Sequence, residues 1–501
     1  MTAHYPALVV LFPLLASFVV AALTWVDQRL CIPVTLLGLA GAVVSSVQLC
    51  GQVLAAGQVS YLLGGWPPPM GIELRVDLLN VLVLLVVSAV ALVNMVASIK
   101  SIHEEVPIKE GTFYALYLLF VTGLLGVVVT ADLFNLYVLL EITSLTSYAL
   151  LAMGNPDRAP LASLNYVYLG VIGASFYLLG VGYLYIMTGS LNMADVSDLL
   201  TPVSTSSAVT VAFIFCLVGV WIKMALFPLH TWLPNAYSYA PVSVNRVIAP
   251  LMTKVMVYVM IRLMLSVFGF DYIFEHLDLS QWVVWLASVA ILAGAIMALA
   301  QQDLKKMFAY IIVCEIGYMV GGAWLGNVQG MTGAVLHIIN DALMTFGLFL
   351  VLGNILYVRK QTRISSLNGF SAEMPWTLAG FVLVGVSIIG VPPTCGFFSK
   401  WYLLLGGIQA GAGFFVVSLV LSSLISAVLI FRIIETAFFP ADDQETAHQA
   451  GHGQQAVLIN DAPMSMLISL GLVGASLIAV GLFSGTIVQS VLLPFVQQGM
   501  S

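Results

Sequence analysis

Apolar residues occupy this chain in long blocks separated by short polar stretches. A helix needs about 20 mostly apolar residues to cross the hydrocarbon core of a bilayer, and such blocks follow one another almost from end to end. A window of about 19 residues predicts spans at 5–25, 31–56, 78–99, 112–130, 133–153, 161–188 and 208–238, then at 246–268, 281–301, 304–326, 330–356, 375–405, 411–439 and 463–485. The pattern therefore predicts an all-α polytopic membrane protein of about fourteen transmembrane helices. Proline removes a backbone donor and clashes with the preceding turn. Pro228 in the seventh span and Pro392-Pro393 in the twelfth mark both as discontinuous helices, which in membranes occur where backbone lines a cavity.

Composition narrows the class. Of 501 residues, 61% are hydrophobic and only 8% charged, against about 25% charged in an average soluble chain, which excludes a soluble enzyme. The balance of 16 Lys and Arg against 23 Asp and Glu, a net charge of -7, offers no basic patch for nucleic acid. Cys31, Cys50, Cys216, Cys314 and Cys395 sit in or beside apolar stretches without the paired spacing of metal or redox sites. No metal or cofactor is expected. Residues 1–4 carry no basic segment and the first apolar run is too long for a signal peptide, so the first span is expected to be retained.

The short loops set the expected orientation. Those after odd-numbered spans carry Arg29, Lys100, Lys109, Arg158, Lys305, Lys306, Arg359, Lys360 and Arg363, whereas those after even-numbered spans carry only Arg75. By the positive-inside rule both termini lie outside a cell inner membrane. Segment 440–462, with Asp442, Asp443, Glu445, His448 and His452, reads as a solvated loop, and 486–498 as a short interfacial helix.

A charge at the bilayer centre costs about 2.5 to 3.5 kcal/mol or more, so intramembrane charges face polar interiors and mark ion pathways. Glu141, Lys223, Lys254, Glu315, His337, Asp341 and Lys400 all fall well inside predicted spans, while Arg246, Arg262, Arg432 and Glu435 lie nearer the ends. Glu141 is followed by Thr143, Ser144, Thr146 and Ser147, a hydroxyl-rich face suited to holding water around a carboxylate. Lys223 precedes Pro228 by little more than one turn, with His230 just beyond, so carbonyls freed by the break are expected to hold it. If Glu141 neighbours Lys223, moving the carboxylate away releases the lysine's proton. His337 and Asp341, at i and i+4, are expected to form a second protonatable pair.

Spacing suggests an internal repeat. Glu141 to Glu315, Lys223 to Lys400 and Lys254 to Arg432 lie at near-equal intervals, so spans four to eight repeat as nine to thirteen. One copy starts from an even-numbered span and the other from an odd one, which turns the two five-helix copies upside down, a secondary-transporter arrangement. The expected divisions are an N-terminal three-helix segment at 1–110, a first translocating repeat at 111–270, a second at 271–440, and a loop, last span and tail at 441–501.

At these residues the sequence resembles the antiporter-like subunits shared by Mrp-type cation/proton antiporters, membrane-bound hydrogenases and respiratory complex I. Asp132-Leu-Phe-Asn135 through Glu141 to Tyr148 looks like the family's fifth-helix signature, closest to the D-type member of the Mrp antiporters. Lys223 to Pro234, continuing to Ala240-Pro241, matches the seventh-helix signature; Gln302-Asp303-Leu304-Lys305-Lys306 with Ala309-Tyr310 and Gly317-Tyr318 matches a third, and Gly390 to Lys400 a fourth. The resemblance implies Glu141 and Lys223 as the charged pair, Lys254 as the connecting lysine, and His337 and Lys400 as the continuation. It also implies departures. Asp341 stands where the family has a second histidine, Thr345 where it has a lysine, Glu315 where glutamine is usual, and Asn245-Arg246 where small residues are common.

The leading expectation is a subunit of a multi-subunit membrane complex that moves protons along Glu141, Lys223, Lys254, His337 and Lys400, coupled to Na⁺ or K⁺. His230, Glu315, Asp341, Thr345 and Arg432 are expected to modulate the path. Two alternatives stand beside it: a proton-pumping subunit of a complex I-like or hydrogenase membrane arm, driven by redox chemistry in its partners, and a non-conducting scaffold, which Thr345 keeps open. In each case the chain itself is a transporter subunit or scaffold rather than an enzyme, and its partners are other membrane subunits.

Overall fold

The computed structural model describes residues 4–154, 157–439 and 459–500; the acidic and histidine-bearing part of the 440–462 loop lies outside them. Thirteen described helices are long and apolar enough to cross a membrane. In chain order the first six spans are Tyr5–Leu23, Cys31–Ala56, Leu78–Glu105, Glu110–Val129, Leu133–Ala152 and Ala159–Thr188. The seventh is broken into Ser207–Met224 and Trp232–Tyr239, and the eighth is Val242–Leu263. Ser280–Leu299, Leu304–Ala323 and Val328–Arg359 follow; the twelfth is split into Pro375–Ile389 and Cys395–Gln409, and Gly413–Phe438 and Met464–Leu482 complete fourteen.

Short polar side chains set where the helices begin. Asp77 accepts from the backbone N–H of Leu79 and Asn80, Asp132 from that of Asn135, Asp303 from Lys305 and Lys306, and Asn327 from Gly330, each occupying donors the first turn leaves without an internal partner. Both breaks end in a left-handed residue. Ala225 has φ 62° and Gly390 φ 92°, and in each case the following N–H reaches back five residues, Leu226 to the Trp221 carbonyl and Val391 to the Val386 carbonyl. This closing bond satisfies carbonyls that a broken helix would otherwise leave bare.

The inverted repeat is visible in the backbone. Leu133 N–H donates to Leu191 and Met193 N–H to Ala131; Leu304 N–H donates to Thr362 and Ile364 N–H to Gln302. Asp132 thereby bridges to Asn192, and Asp303 to Arg363. The same clasp between a helix start and the loop after the next span thus occurs twice, at opposite ends of the bundle. At one end, Thr130 bridges to Leu74 of an antiparallel hairpin, β1 (Gln58–Leu62) and β2 (Glu73–Asp77), in which Gln58 faces Asp77 and Leu62 faces Glu73. At the other, the basic loops gather: Lys360 pairs with Glu104 at 2.6 Å and Lys305 donates to the Ser238 carbonyl. The hairpin and a short helix, Met193–Leu200, do not show as apolar blocks and were not anticipated from the sequence.

The eighth and eleventh spans are buried almost all round, whereas the first, second, sixth, thirteenth and fourteenth keep much of their surface outward. Helices apolar on every side suit both positions in a membrane protein. The C-terminal helix, Leu493–Gly499, does more than lie at an interface: Phe495 covers the Arg262 guanidinium at 6.0 Å.

Candidate functional site

The intramembrane charges form three groups. In the first, Lys223 ends the first half of the broken seventh span and is 2% exposed, with its Nζ 3.1 Å from Glu141 Oε1 and 2.8 Å from Ser144 Oγ. Of the hydroxyls after Glu141, only Ser144 serves this lysine. Thr143, Thr146 and Ser147 donate back to the carbonyls of Leu139, Ile142 and Ser144, as hydroxyls on helices often do. Among the described residues Lys223 bonds to no carbonyl at the seventh-span break, where the Trp232 indole N–H takes the Ile222 carbonyl.

The second group lies between the eighth and eleventh spans. Lys254 Nζ is 3.0 Å from Asp341 Oδ2, 3.2 Å from Thr345 Oγ1 and 3.4 Å from the Ala249 carbonyl, and Thr345 donates to Asp341 Oδ1 at 2.8 Å. The third joins spans ten, eleven and twelve. His337 Nε2 lies 2.5 Å from Glu315 Oε2 and its Nδ1 2.8 Å from Ser399 Oγ. Lys400 Nζ is 4.0 Å from Glu315 Oε1, donates to the Ile388 carbonyl at 2.6 Å, and sits 4.9 Å over the Tyr318 ring. The lysine held by a carbonyl at a helix break is therefore Lys400, beside Pro392-Pro393, and not Lys223.

These distances correct the expected His337–Asp341 pair. The two occupy one helix face, yet His337 turns to Glu315 and Asp341 to Lys254, since each has an opposite charge or strong acceptor on a neighbouring span. Arg432 also stands apart from the three groups: it donates to the Leu299 carbonyl and Gln302 Oε1 near the helix ends. His230 stacks on Phe227 and meets the edge of Tyr310. Ser399 was missed by sequence reasoning, although its place next to Lys400 was a signal. Arg246 and Arg262, seen only as near-end charges, prove buried. Arg262 forms a two-point pair with Asp77, while Arg246 has only long contacts of 3.4 to 3.5 Å with Phe349, Ala97, Ser98 and Ser101. Among the described residues no three His, Cys, Asp or Glu side chains converge as a metal site.

Buried ion pairs of this kind are weak as stabilisers, because desolvation offsets most of their attraction. Their chemical capacity is different: moving one partner's charge away disfavours the charged form of the other.

Comparison with known proteins agrees with this arrangement. Residues 130–426 match the family described as NADH:quinone oxidoreductase/Mrp antiporter, transmembrane. The chain is 42% identical over 500 residues, 98% of each protein, to the N subunit of the NADH-quinone oxidoreductase of Desulforudis audaxviator. It is 29% identical over 468 residues, 93% of each, to the D subunit of the Na⁺/H⁺ antiporter of Bacillus subtilis. A chain of the membrane-bound sulfane sulfur reductase, an archaeal respiratory membrane complex, superimposes with a TM-score of 0.89 at 26% identity over 99% of both chains. The protein belongs to this family, whose members are membrane subunits of larger complexes. The higher identity to the oxidoreductase protein means that the likeness does not single out the Mrp type.

Proposed function

We propose that this member of the NADH:quinone oxidoreductase/Mrp antiporter transmembrane family translocates protons within a multi-subunit complex, along Glu141, Lys223, Lys254, His337 and Lys400, in exchange for Na⁺ or K⁺. The observation that carries the reading is the Glu141–Lys223 pair, 3.1 Å apart with the lysine buried at a helix break. An ammonium left in the bilayer without a carboxylate is costly, so withdrawal of Glu141 drives the proton off Lys223. Lys254–Asp341 and Glu315–His337–Lys400 offer the next two stations of the same kind. The inverted clasps support two translocating halves, 111–270 and 271–440.

Glu141 itself is 22% exposed. Phe134 and Val138 before it and Leu145 after it, exposed on the same helix, flank it at helical spacing, so the carboxylate lies in an apolar outward stripe. A carboxylate does not face lipid unaccompanied, which supports a neighbouring membrane protein of the complex covering it and moving its charge. The gathering of basic loops at one end of the bundle supports a cytoplasmic location for that end, with both termini outside, in a cell inner membrane.

Vesicles containing the whole complex test the reading: cation-driven proton flux should fall at least tenfold in Lys223→Ala and Glu141→Ala. Unchanged flux in both assigns the chain a scaffold role. A second reading, a proton pump powered by redox chemistry in partner subunits, is favoured by the 42% identity to part of a quinone oxidoreductase. In that case flux follows electron donor and quinone rather than a cation gradient, with the same dependence on Lys223.

A further inference from the structure

The Lys254 ammonium occupies a small cage of oxygens: Asp341 Oδ2 at 3.0 Å, Thr345 Oγ1 at 3.2 Å and the Ala249 carbonyl, just before Pro250, at 3.4 Å. Both charged side chains are 2% exposed. The contact with Oδ2 is off the hydrogen-bonding direction, so this oxygen accepts no hydrogen bond from the described residues. It is held by charge alone. A set of one carboxylate, one hydroxyl and one carbonyl, without sulfur or imidazole, is a hard donor set for a hard cation. A single negative charge matches a monovalent ion.

We propose that this cage is an alkali-cation site, in which K⁺ or Na⁺ and the Lys254 ammonium replace one another. The inference rests on the ion-translocating reading and names the place where the second ion sits. The exchange balances: Lys254 loses one proton and becomes a neutral amine, one cation takes its place against Asp341, and the net charge of the cage is unchanged. An ammonium group and K⁺ are close in radius, so K⁺ fits among these three oxygens once the neutral Lys254 amine swings aside, and Na⁺ draws the oxygens inward. The proton has acceptors to hand. His337 lies one turn from Asp341 and is bonded to Glu315 on the tenth span, while Arg246, two turns back on the lysine's own helix, stays charged and bars an exit that way. The Glu141–Lys223 pair on the fifth and seventh spans is internally neutral.

Asp341 and Thr345 together supply two of the three oxygens, so the eleventh span presents a carboxylate and a hydroxyl to whichever cation lies against the eighth.

The test is thermal unfolding of the purified complex, titrated with KCl, NaCl or choline chloride at constant ionic strength, because a bound ion raises stability in proportion to the logarithm of its concentration. Lys254→Gln leaves Asp341 buried and unpaired, so the half-maximal K⁺ or Na⁺ concentration should fall by about tenfold or more, given the size of a unit-charge repulsion at this range. That gain should vanish in Lys254→Gln/Asp341→Asn and shrink in Lys254→Gln/Thr345→Val, with choline inert throughout. No gain in Lys254→Gln, or a gain that survives Asp341→Asn, overturns the cage. Flux in the same preparations separates the two readings. Flux lost in Glu141→Ala and Lys223→Ala, with no gain in Lys254→Gln, removes the cage and keeps the translocation reading. Flux indifferent to both removes the translocation reading whatever the cage binds.

Discussion

The Asp77 carboxylate receives two hydrogen bonds from the Arg262 guanidinium, Nη1 to Oδ2 at 2.6 Å and Nη2 to Oδ1 at 2.9 Å, while also capping the third span through Leu79 and Asn80. One side chain thus ties the hairpin, a helix start and the end of the eighth span together. Arg262 also packs under Phe495 and beside Tyr258, which closes the C-terminal helix over the pair.

Breaking this pair from one side leaves a buried charge. Arg262→Ala should destabilise the protein by about 3–5 kcal/mol, the range for buried pairs cut singly, read as a lowered unfolding temperature of the complex. Asp77→Asn keeps the helix cap but leaves the buried Arg262 charge without its carboxylate, and should cost a similar amount. Burial alone raises the Asp77 carboxyl; the charge and hydrogen bonds of Arg262 outweigh it and hold the group below its ordinary value. Its contribution is therefore complete above the usual carboxylate range and is lost as pH falls through the lowered value. Asp77→Asn should flatten the acid side of the stability profile; an unchanged profile shows that Asp77 does not control it.

Hydroxyl substitutions on the fifth span should separate sharply. Ser144→Ala removes a 2.8 Å partner of Lys223, worth roughly 1.5–3 kcal/mol for a charged group, and should slow proton flux at least several-fold. Thr143→Ala removes only a bond to the Leu139 carbonyl and should leave flux within a factor of about two, since a neutral local bond contributes little net free energy. Equal effects would show that water held by the whole face matters more than Ser144.

Gly353 leaves room for the Arg246 guanidinium, and any Cβ there would overlap it. Gly353→Ala should cost about 1–3 kcal/mol, as overpacking does, measured by thermal unfolding. In Gly353→Ala/Arg246→Met the flexible thioether relieves the overlap, so the double variant should be less destabilised than the sum of the singles. Simple additivity would show that the two positions do not meet.

Thr345→Lys introduces the residue that the resemblance implies for this position, and here it should harm. The new ammonium would stand where Thr345 Oγ1 now meets both Lys254 and Asp341, two cations competing for one carboxylate. Stability and flux should both fall, flux by at least tenfold, given the size of like-charge repulsion in a poorly solvated site. Higher flux in Thr345→Lys would show that the altered half had been silent.

The fourteen spans, the two helix breaks and the set of intramembrane charges were legible along the chain because each depends on local quantities. Apolar length decides whether a segment enters a membrane, a proline breaks the helix in which it stands, and a charge within an apolar block stands out wherever it points. Glu141 and Lys223 could be matched because opposite charges buried in the same bilayer have few other partners. The same logic failed for His337 and Asp341. Helical spacing places them on one face but carries no information about Glu315 and Lys254, which approach from other spans and win them by charge. The hairpin at Gln58–Leu62 and Glu73–Asp77 was silent for a related reason, being too short and polar to register as a block.

Membership of the bilayer, then, was written in composition and order, since the hydrophobic effect acts on each segment in turn. Which acid holds which base was settled only when the spans packed, because Coulomb attraction depends on distance in space and not along the chain. The oxygen cage around Lys254 draws on Ala249 from the eighth span and on Asp341 and Thr345 from the eleventh, and no reading of either helix by itself contains it.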